Sequence, residues 1–431
     1  MITTAGIEAM LSYAILHRRY QEKRIFMSDV LDRFIRYAGY DTQSDPNSLS
    51  TPSTDKQLSL LALLRSELSS LGLNAEISEY GVLYADIPAT IQGDGMKVGF
   101  IAHVDTSPAY SGAGVVPKVI KAYKGGEIQL AEGVMMSDSA FSELGGFIGS
   151  DIVVAESDTL LGADDKAGVA EIMAAAKALC DNKDIPHYGV KIAFTCDEEI
   201  GRGASNFDIG RFGADYAYTI DGGVLGEYSY ENFNAIDISI AIAGLGVHPG
   251  TAKGKMRSAI RIANEIFGML PYGQAAETTE GYDGFVHISN MEADTDKAVM
   301  SGIVRDHSEA ALNDRVTALK LIEEYMNSKY GPGSVSMDFR RMYSNMKEHI
   351  LDRFECVENL VLAHEELGIK CTAIPMRGGT DGAALTYKGL PCPNIATGGI
   401  NAHGRYEAAS VSDMETTVNL LVKLVEISAR G

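Results

Sequence analysis

Four short, nearly continuous apolar runs divide the chain, at residues 97–102, 190–195, 216–220 and 393–397. Runs of this length without polar alternation predict strands covered on both faces, as in a parallel sheet. Each gives way to polar groups. The first ends in His103-Val104-Asp105, the second in Cys196-Asp197-Glu198-Glu199 and the third in Asp221-Gly222-Gly223, while the fourth opens into a glycine-rich loop carrying His403. In open α/β sheets that edge, beyond the carboxyl ends of the strands, is where ligands bind.

Helical spacing appears elsewhere. Val169, Ile172, Met173, Ala176 and Leu179 recur every three or four positions after Gly162-Ala163-Asp164-Asp165, so the two acids stand at a helix entrance. They read either as caps for free backbone N–H groups or as carboxylates turned onto cations. Val30, Leu31, Phe34 and Ile35 predict a first helix from Ser28, ending near Gly39-Tyr40. Thr54 and Gln57 form a capping-box pattern ahead of Leu58, Leu61, Leu64 and Leu68, with Gly72 at the exit. Short strands are expected at 75–78 and 81–87. A closing helix is expected from Ser412, with Glu415 completing a second capping box.

Between 232 and 343 the period changes. Ile236, Ile238, Ile240 and Ile242 alternate with Asp237, Ser239 and Ala241, and Val335, Met337 and Phe339 alternate with Ser336, Asp338 and Arg340. This is the mark of strands with one wet face. Helices near 256–270 and 309–327 and strands near 284–291 and 298–305 fall between them. The pattern predicts an α+β domain with an antiparallel sheet, 232–343, inserted into an α/β domain made of 27–231 and 344–431.

At 431 residues there is chain enough for more than one core. The formal net charge of −21, with no basic run, argues against nucleic acid and anionic membrane as partners. No apolar run approaches the roughly 20 residues of a membrane span. The five cysteines, Cys180, Cys196, Cys356, Cys371 and Cys392, are odd in number and form no CxxC pair, which favours a reducing, cytoplasmic setting. In residues 7–16 an apolar stretch precedes the basic His17-Arg18-Arg19, the reverse of a secretory signal. Met27-Ser28 reads as a natural start. That leaves 1–26 as an accessory helix or the product of an upstream start codon.

Five strand-end or helix-entrance positions thus offer His103, Asp164, Glu199, Asp221 and His403, with Asp105 and Glu198 beside them. A single histidine at a strand end is usually a hydrogen-bonded structural residue, and a Glu-Glu pair in an acidic protein is usually solvated surface. Several carboxylates delivered to one edge by buried strands are different, because their repulsion is costly unless cations neutralise it. Imidazole plus carboxylate without thiolate suits zinc, with cobalt or manganese as substitutes. Five ligands, one of them bridging, make two three-ligand sites with a position open to water, the logic of two-metal hydrolases.

Six motifs carry a resemblance: His103-Val104-Asp105-Thr106-Ser107-Pro108, Gly162-Ala163-Asp164-Asp165-Lys166-Ala167-Gly168, Asp197-Glu198-Glu199, Thr219-Ile220-Asp221-Gly222-Gly223, Val247-His248-Pro249-Gly250-Thr251-Ala252-Lys253-Gly254 and Arg377-Gly378-Gly379-Thr380-Asp381-Gly382. In this order they resemble the di-zinc metallopeptidase family that holds tripeptide aminopeptidases, aminoacylases, succinyl-diaminopimelate desuccinylases and glutamate carboxypeptidases. The resemblance runs from about Met27 to the end and leaves 1–26 outside. It implies a di-zinc exopeptidase domain with an inserted ferredoxin-like lid that also serves for pairing two copies. Two Zn²⁺ per chain are implied, with Asp164 bridging, His103 and Asp221 completing one site, and Glu199 and His403 the other. Asp105 is implied to hold the second nitrogen of His103, and Glu198 to act as general base.

For His248 the resemblance implies a donor to the oxyanion of the tetrahedral intermediate; by position alone it is a loop histidine near a helix start. Arg377 reads as a surface charge or as a fork onto a substrate carbonyl or carboxylate. Arg305 reads as a partner for the peptide's C-terminal carboxylate or as half of a salt bridge with Asp306 or another acid. The expected activity is release of the N-terminal residue of tripeptides. A dipeptidase or N-acyl amino acid deacylase on the same metals is the alternative among enzymes, and a catalytically silent peptide-binding protein the alternative outside them.

Overall fold

The computed structural model describes residues 29–430, so the 1–26 extension and the expected helix start at Ser28 lie outside the described residues. The chain divides into two compact units, one containing the residues up to Tyr228 with 349–373 and those from Thr380 onward, the other containing Ser229–Glu348 with Ile374–Gly379.

The first unit is built on an eight-stranded sheet in the order Ala75–Ile77, Leu83–Ile87, Val190–Thr195, Val98–His103, Tyr216–Ile220, Asn394–Ile395, Glu227–Ser229, Thr372–Ala373. The outer pair at the first edge is antiparallel. Towards the centre the apolar runs lie side by side and parallel, with Val98 opposite Val190 and His103 opposite Thr195. Val98 also faces Tyr216, and Asn394 faces Thr219. All six residues of Val98–His103 and all five of Tyr216–Ile220 are buried, the condition that an unbroken apolar run predicts. Each large aliphatic or aromatic side chain so buried contributes about 1.5–3 kcal/mol.

The helix Ala163–Asp181 is buried along most of its length and packs against Val98–His103 and the closing helix Val411–Ser428. Its alanine-rich sequence allows that close approach. At Gly168 the approach is closest: a Cβ there would run into the Ile220 carbonyl and the Asp165 carboxylate. Gly162 precedes the helix at φ 78°, a conformation that glycine adopts without strain.

A second sheet in this unit, for which the sequence offered no expectation, joins Gly399–Ile400, Ala408–Ser410, Ile152–Ala155 and Pro117–Ile120, all antiparallel. Its core includes Leu130, Met136, Leu144, Phe147 and Val154. Two expected capping boxes are not formed. Ser410 caps the closing helix instead of Ser412, accepting from the Asp413 N–H at 3.3 Å. Thr54 Oγ1 donates to the Gln43 carbonyl at 2.8 Å, and Gln57 is drawn into the interior.

The second unit follows the order strand Asn234–Ala243, helix Ala259–Met269, strands Phe285–Ala293 and Lys297–Asp306, helix Glu309–Tyr330, strand Val335–Tyr343. Its sheet is antiparallel throughout, with Asn234–Ala243 between Lys297–Asp306 and Val335–Tyr343, which is the ferredoxin-like arrangement. Ile236, Ile238, Ile240 and Ile242 pack with Ile262, Ile266, Leu312 and Leu319 on its helix-covered face.

Candidate metal centre

Three parallel strands end side by side and hand their next residues to one place. His103 is the last residue of its strand and is buried, and Asp221 follows Tyr216–Ile220 directly. Glu198 and Glu199 form a single 3₁₀ turn after Val190–Thr195, entered through Asp197 at φ 63°. Asp164 comes from the mouth of the buried helix, where its φ of −85° and ψ of 105° keep it out of helical geometry. His403 arrives by a different route from the one the sequence suggests. It sits not just beyond the fourth apolar strand but on the loop between Gly399–Ile400 and Ala408–Ser410 of the second sheet, at φ 66°.

Asp164 lies at the middle of the group. Its Oδ1 is 3.1 Å from His103 Nε2 and its Oδ2 is 3.0 Å from His403 Nε2. On the first side, Asp221 Oδ1 stands 3.7 Å from His103 Nε2. On the second, Glu199 Oε2 stands 2.9 Å from His403 Nε2. Two clusters, each of an imidazole and carboxylates, therefore meet at one shared carboxylate. Potential ligand atoms of His103, Asp164 and Glu199 lie within 4.8 Å of one another, as do those of His103, Asp165 and Asp221.

Burial opposes the charge that this arrangement concentrates. It raises the carboxyls of Glu198, Asp165 and Asp221, and it lifts Glu199 to about 6. For Asp164 burial acts in the same direction, but His103 and His403 outweigh it and hold the group below the usual carboxylate range. His103 is held well above its ordinary value because Asp105, Asp164 and Asp221 overcome the effect of burial. Asp164 and Glu199 push His403 up to about 11.

The residues fit divalent cations. Glu199 Oε1 and Asp165 Oδ1 are buried without a hydrogen-bond partner among the described residues, so each has a lone pair available to an ion. The Cys196 thiol donates to the Gly81 carbonyl, and among the described residues no cysteine belongs to either cluster. An oxygen and nitrogen donor set of this kind matches zinc, cobalt or manganese.

The surrounding contacts explain how these side chains are held. Asp105 accepts the backbone N–H of Glu198 at 3.0 Å and of Glu199 at 3.2 Å. Its Oδ1 lies 3.4 Å from His103 Nδ1, which has the Asp105 carbonyl closer, at 3.0 Å. Asp105 thus ties the imidazole strand to the acidic turn. Glu407, which the sequence does not single out, is buried with one oxygen accepting from Leu161 and Gly162 N–H and the other from Asp164 N–H, all within 2.8 Å. Asp381 accepts from Thr195 Oγ1 at 2.8 Å, and its own N–H donates to Glu198 Oε1 at 3.3 Å. A lone glutamate ahead of two alanines carries no local signal, whereas Asp165 and Asp381 stand inside motifs already recognised.

His248, Arg305 and Arg377 belong to the second unit. His248 is exposed and accepts from the Gly250 N–H at 3.2 Å. Arg305 donates to the Arg377 carbonyl at 3.1 Å, and Asp306 pairs with Arg315 at 3.0 Å, so the Arg305–Asp306 salt bridge does not form. Arg377 donates to the carbonyls of Gly281 and Asp283 and to Thr279 Oγ1, and stands over the Phe233 and Phe285 rings.

The profile of peptidase family M20/M25/M40 matches residues 160–427. Peptidase T of Halothermothrix orenii is 44% identical over 406 residues, covering 94% of this chain and 100% of that protein. The crystal structure of aminopeptidase PepT from Bacillus cereus superposes with a TM-score of 0.74 at 23% identity, over 94% of this chain and 99% of the other. A Bacillus subtilis protein described as a dinuclear metal-binding peptidase of the M20 family gives 0.64 at 14% identity, over 94% and 99%.

Proposed function

The chain belongs to peptidase family M20/M25/M40, and from that premise we infer that it is an aminopeptidase that releases the N-terminal residue of tripeptides, using two zinc ions held around Asp164. The observation that carries this reading is a carboxylate with each oxygen set against a different imidazole, His103 and His403. Asp164 would serve both ions, with His103 and Asp221 completing one site and Glu199 and His403 the other. When bound, the ions supply Lewis acidity towards the scissile carbonyl and lower the pKa of water.

The protein's own groups do the rest. Glu198 is left free of the imidazoles by the turn that commits Glu199 to His403, and it takes a proton during attack and returns it to the leaving amine. Burial raises its affinity for that proton, which suits a base that must become an acid. Asp105 fixes the orientation of His103. A role for His248 as oxyanion donor, and for Arg377 and Arg305 with a substrate carboxylate, belongs to the same proposal. Zinc as the resident metal and a cytoplasmic setting belong to the same proposal. They are supported by the donor set and by five unpaired thiols.

Glu198→Ala is expected to retain two metals per chain while losing at least about a thousandfold in kcat on tripeptides. Metal analysis beside a hydrolysis assay measures both. A proportionate loss of metal and activity would make Glu198 a ligand and overturn its assignment as base. A series of dipeptides, tripeptides, tetrapeptides and N-acyl amino acids tests the substrate. Preference for N-acyl amino acids would replace the aminopeptidase reading with that of a deacylase.

A further inference from the structure

Beside the metal centre, in the first unit, lies a cavity of about 240 Å³ with Asp164 on its wall. One side is the turn after Asp221, from Gly222 to Val224, with Glu227 beyond it; the other is Thr397 and the approach to the His403 loop. Two features of this cavity call for a ligand. Thr397 is fully buried, yet among the described residues its Oγ1 has no hydrogen-bond partner. Glu227 is half-buried, and among the described residues its carboxylate accepts only a long bond of 3.4 Å, from the Val224 N–H to Oε2. Glycine at 223, with φ 90°, keeps the space in front of that carboxylate open, since a Cβ there would lie 3.6 Å from Glu227 Oε2 and 3.3 Å from the Ala396 methyl.

We propose that this cavity receives the N-terminal residue of the peptide, with Glu227 and the Thr397 hydroxyl taking its α-ammonium group. The inference rests on the aminopeptidase reading and deepens it. In a peptide with a free amine, the ammonium nitrogen and the scissile carbonyl are attached to the same Cα. A carbonyl taken by the ions that Asp164 would hold therefore obliges the ammonium and the first side chain to occupy the space immediately adjoining. Glu227 and Thr397 line that space, and a carboxylate and a hydroxyl are the acceptors that an ammonium with three donors needs. Val224 and Ile400 supply apolar wall for the side chain. The volume falls below the roughly 300 Å³ at which drug-sized sites begin, a size that suits one residue.

The test compares a tripeptide with its des-amino analogue, in which hydrogen replaces the ammonium group, on the metal-loaded wild type, Glu227→Gln and Thr397→Val. Glu227→Gln is expected to raise the KM for the tripeptide about tenfold or more while the inhibition constant of the des-amino analogue stays within about twofold. Thr397→Val keeps the shape of the side chain and is expected to show a smaller loss with the same dependence on the amine. If both ligands weaken together, or the preference for the free amine survives in Glu227→Gln, the ammonium assignment is overturned while the aminopeptidase reading stands. A wild type that cleaves no tripeptide overturns the aminopeptidase reading itself, and this inference with it.

Discussion

Asp197 shows how a single residue sets the acidic turn. Its backbone is in the left-handed region, and its buried carboxylate accepts from the Ser53 N–H at 2.7 Å, from the Ser53 hydroxyl and from Gln57 Nε2 at 2.6 Å. Gln57 Oε1 accepts the Asp197 N–H in return at 3.0 Å. Gln57→Leu removes both arms of that exchange and leaves a buried carboxylate short of a donor. It is expected to lower the unfolding free energy by about 2–3 kcal/mol and to reduce kcat more than it changes KM. Urea unfolding and tripeptide kinetics measure the two effects, and an unchanged kcat would show that the turn holds its shape without Gln57. The same residue marks a limit of sequence reading. Thr54 and Gln57 have the spacing of a capping box, and spacing is all that a local pattern can report, whereas the partner that claims Gln57 lies 140 positions away.

Among the elements, the buried helix Ala163–Asp181 has the least tolerance for change. Gly168 brings its first turn against the carboxyl end of Tyr216–Ile220, the strand that delivers Asp221, while Asp164 and Asp165 hang from the same turn. Gly168→Ala is expected to push helix and strand apart and to cost about 1–3 kcal/mol through overpacking. Metal binding should weaken with it, because the carboxylates move with their elements. Calorimetric titration with zinc is the check; wild-type affinity in this variant would mean that the contact relaxes elsewhere. The parallel strands and this helix were legible because continuous apolar runs and a long helical period persist through several turns. The second sheet was not: Gly399–Ile400 and Ala408–Ser410 are two and three residues long, too short to display any period, and they decide where His403 sits. Two strands of the second unit's antiparallel sheet, by contrast, announced themselves through ten and nine residues with one wet face.

For the molecule as a whole, the formal charge of −21 and the clustering of buried acids make bound cations part of its stability. Each ion at a hundredfold excess over its dissociation constant contributes about 2.7 kcal/mol through mass action. Exhaustive chelation is expected to abolish hydrolysis and lower the thermal midpoint, and zinc to restore both. Full activity after every metal is removed would sink the two-metal proposal. The sequence made the acid excess plain and gathered most of the proposed donors at strand ends. It did not reveal the supporting residues Glu407 and Gln57, because a long-range hydrogen bond leaves no trace in neighbouring positions.

The placement of His403 on a late hairpin has a consequence for biosynthesis. A chain leaving the ribosome amino end first presents His103, Asp164, Glu199 and Asp221 well before its last imidazole exists. At about 5–20 residues per second, the 182 positions from Asp221 to His403 take roughly 10–40 s. Throughout that interval the proposed metal centre lacks one of its two imidazoles, so under this proposal the nascent polypeptide gains its peptide-cutting capacity only once His403 has been added.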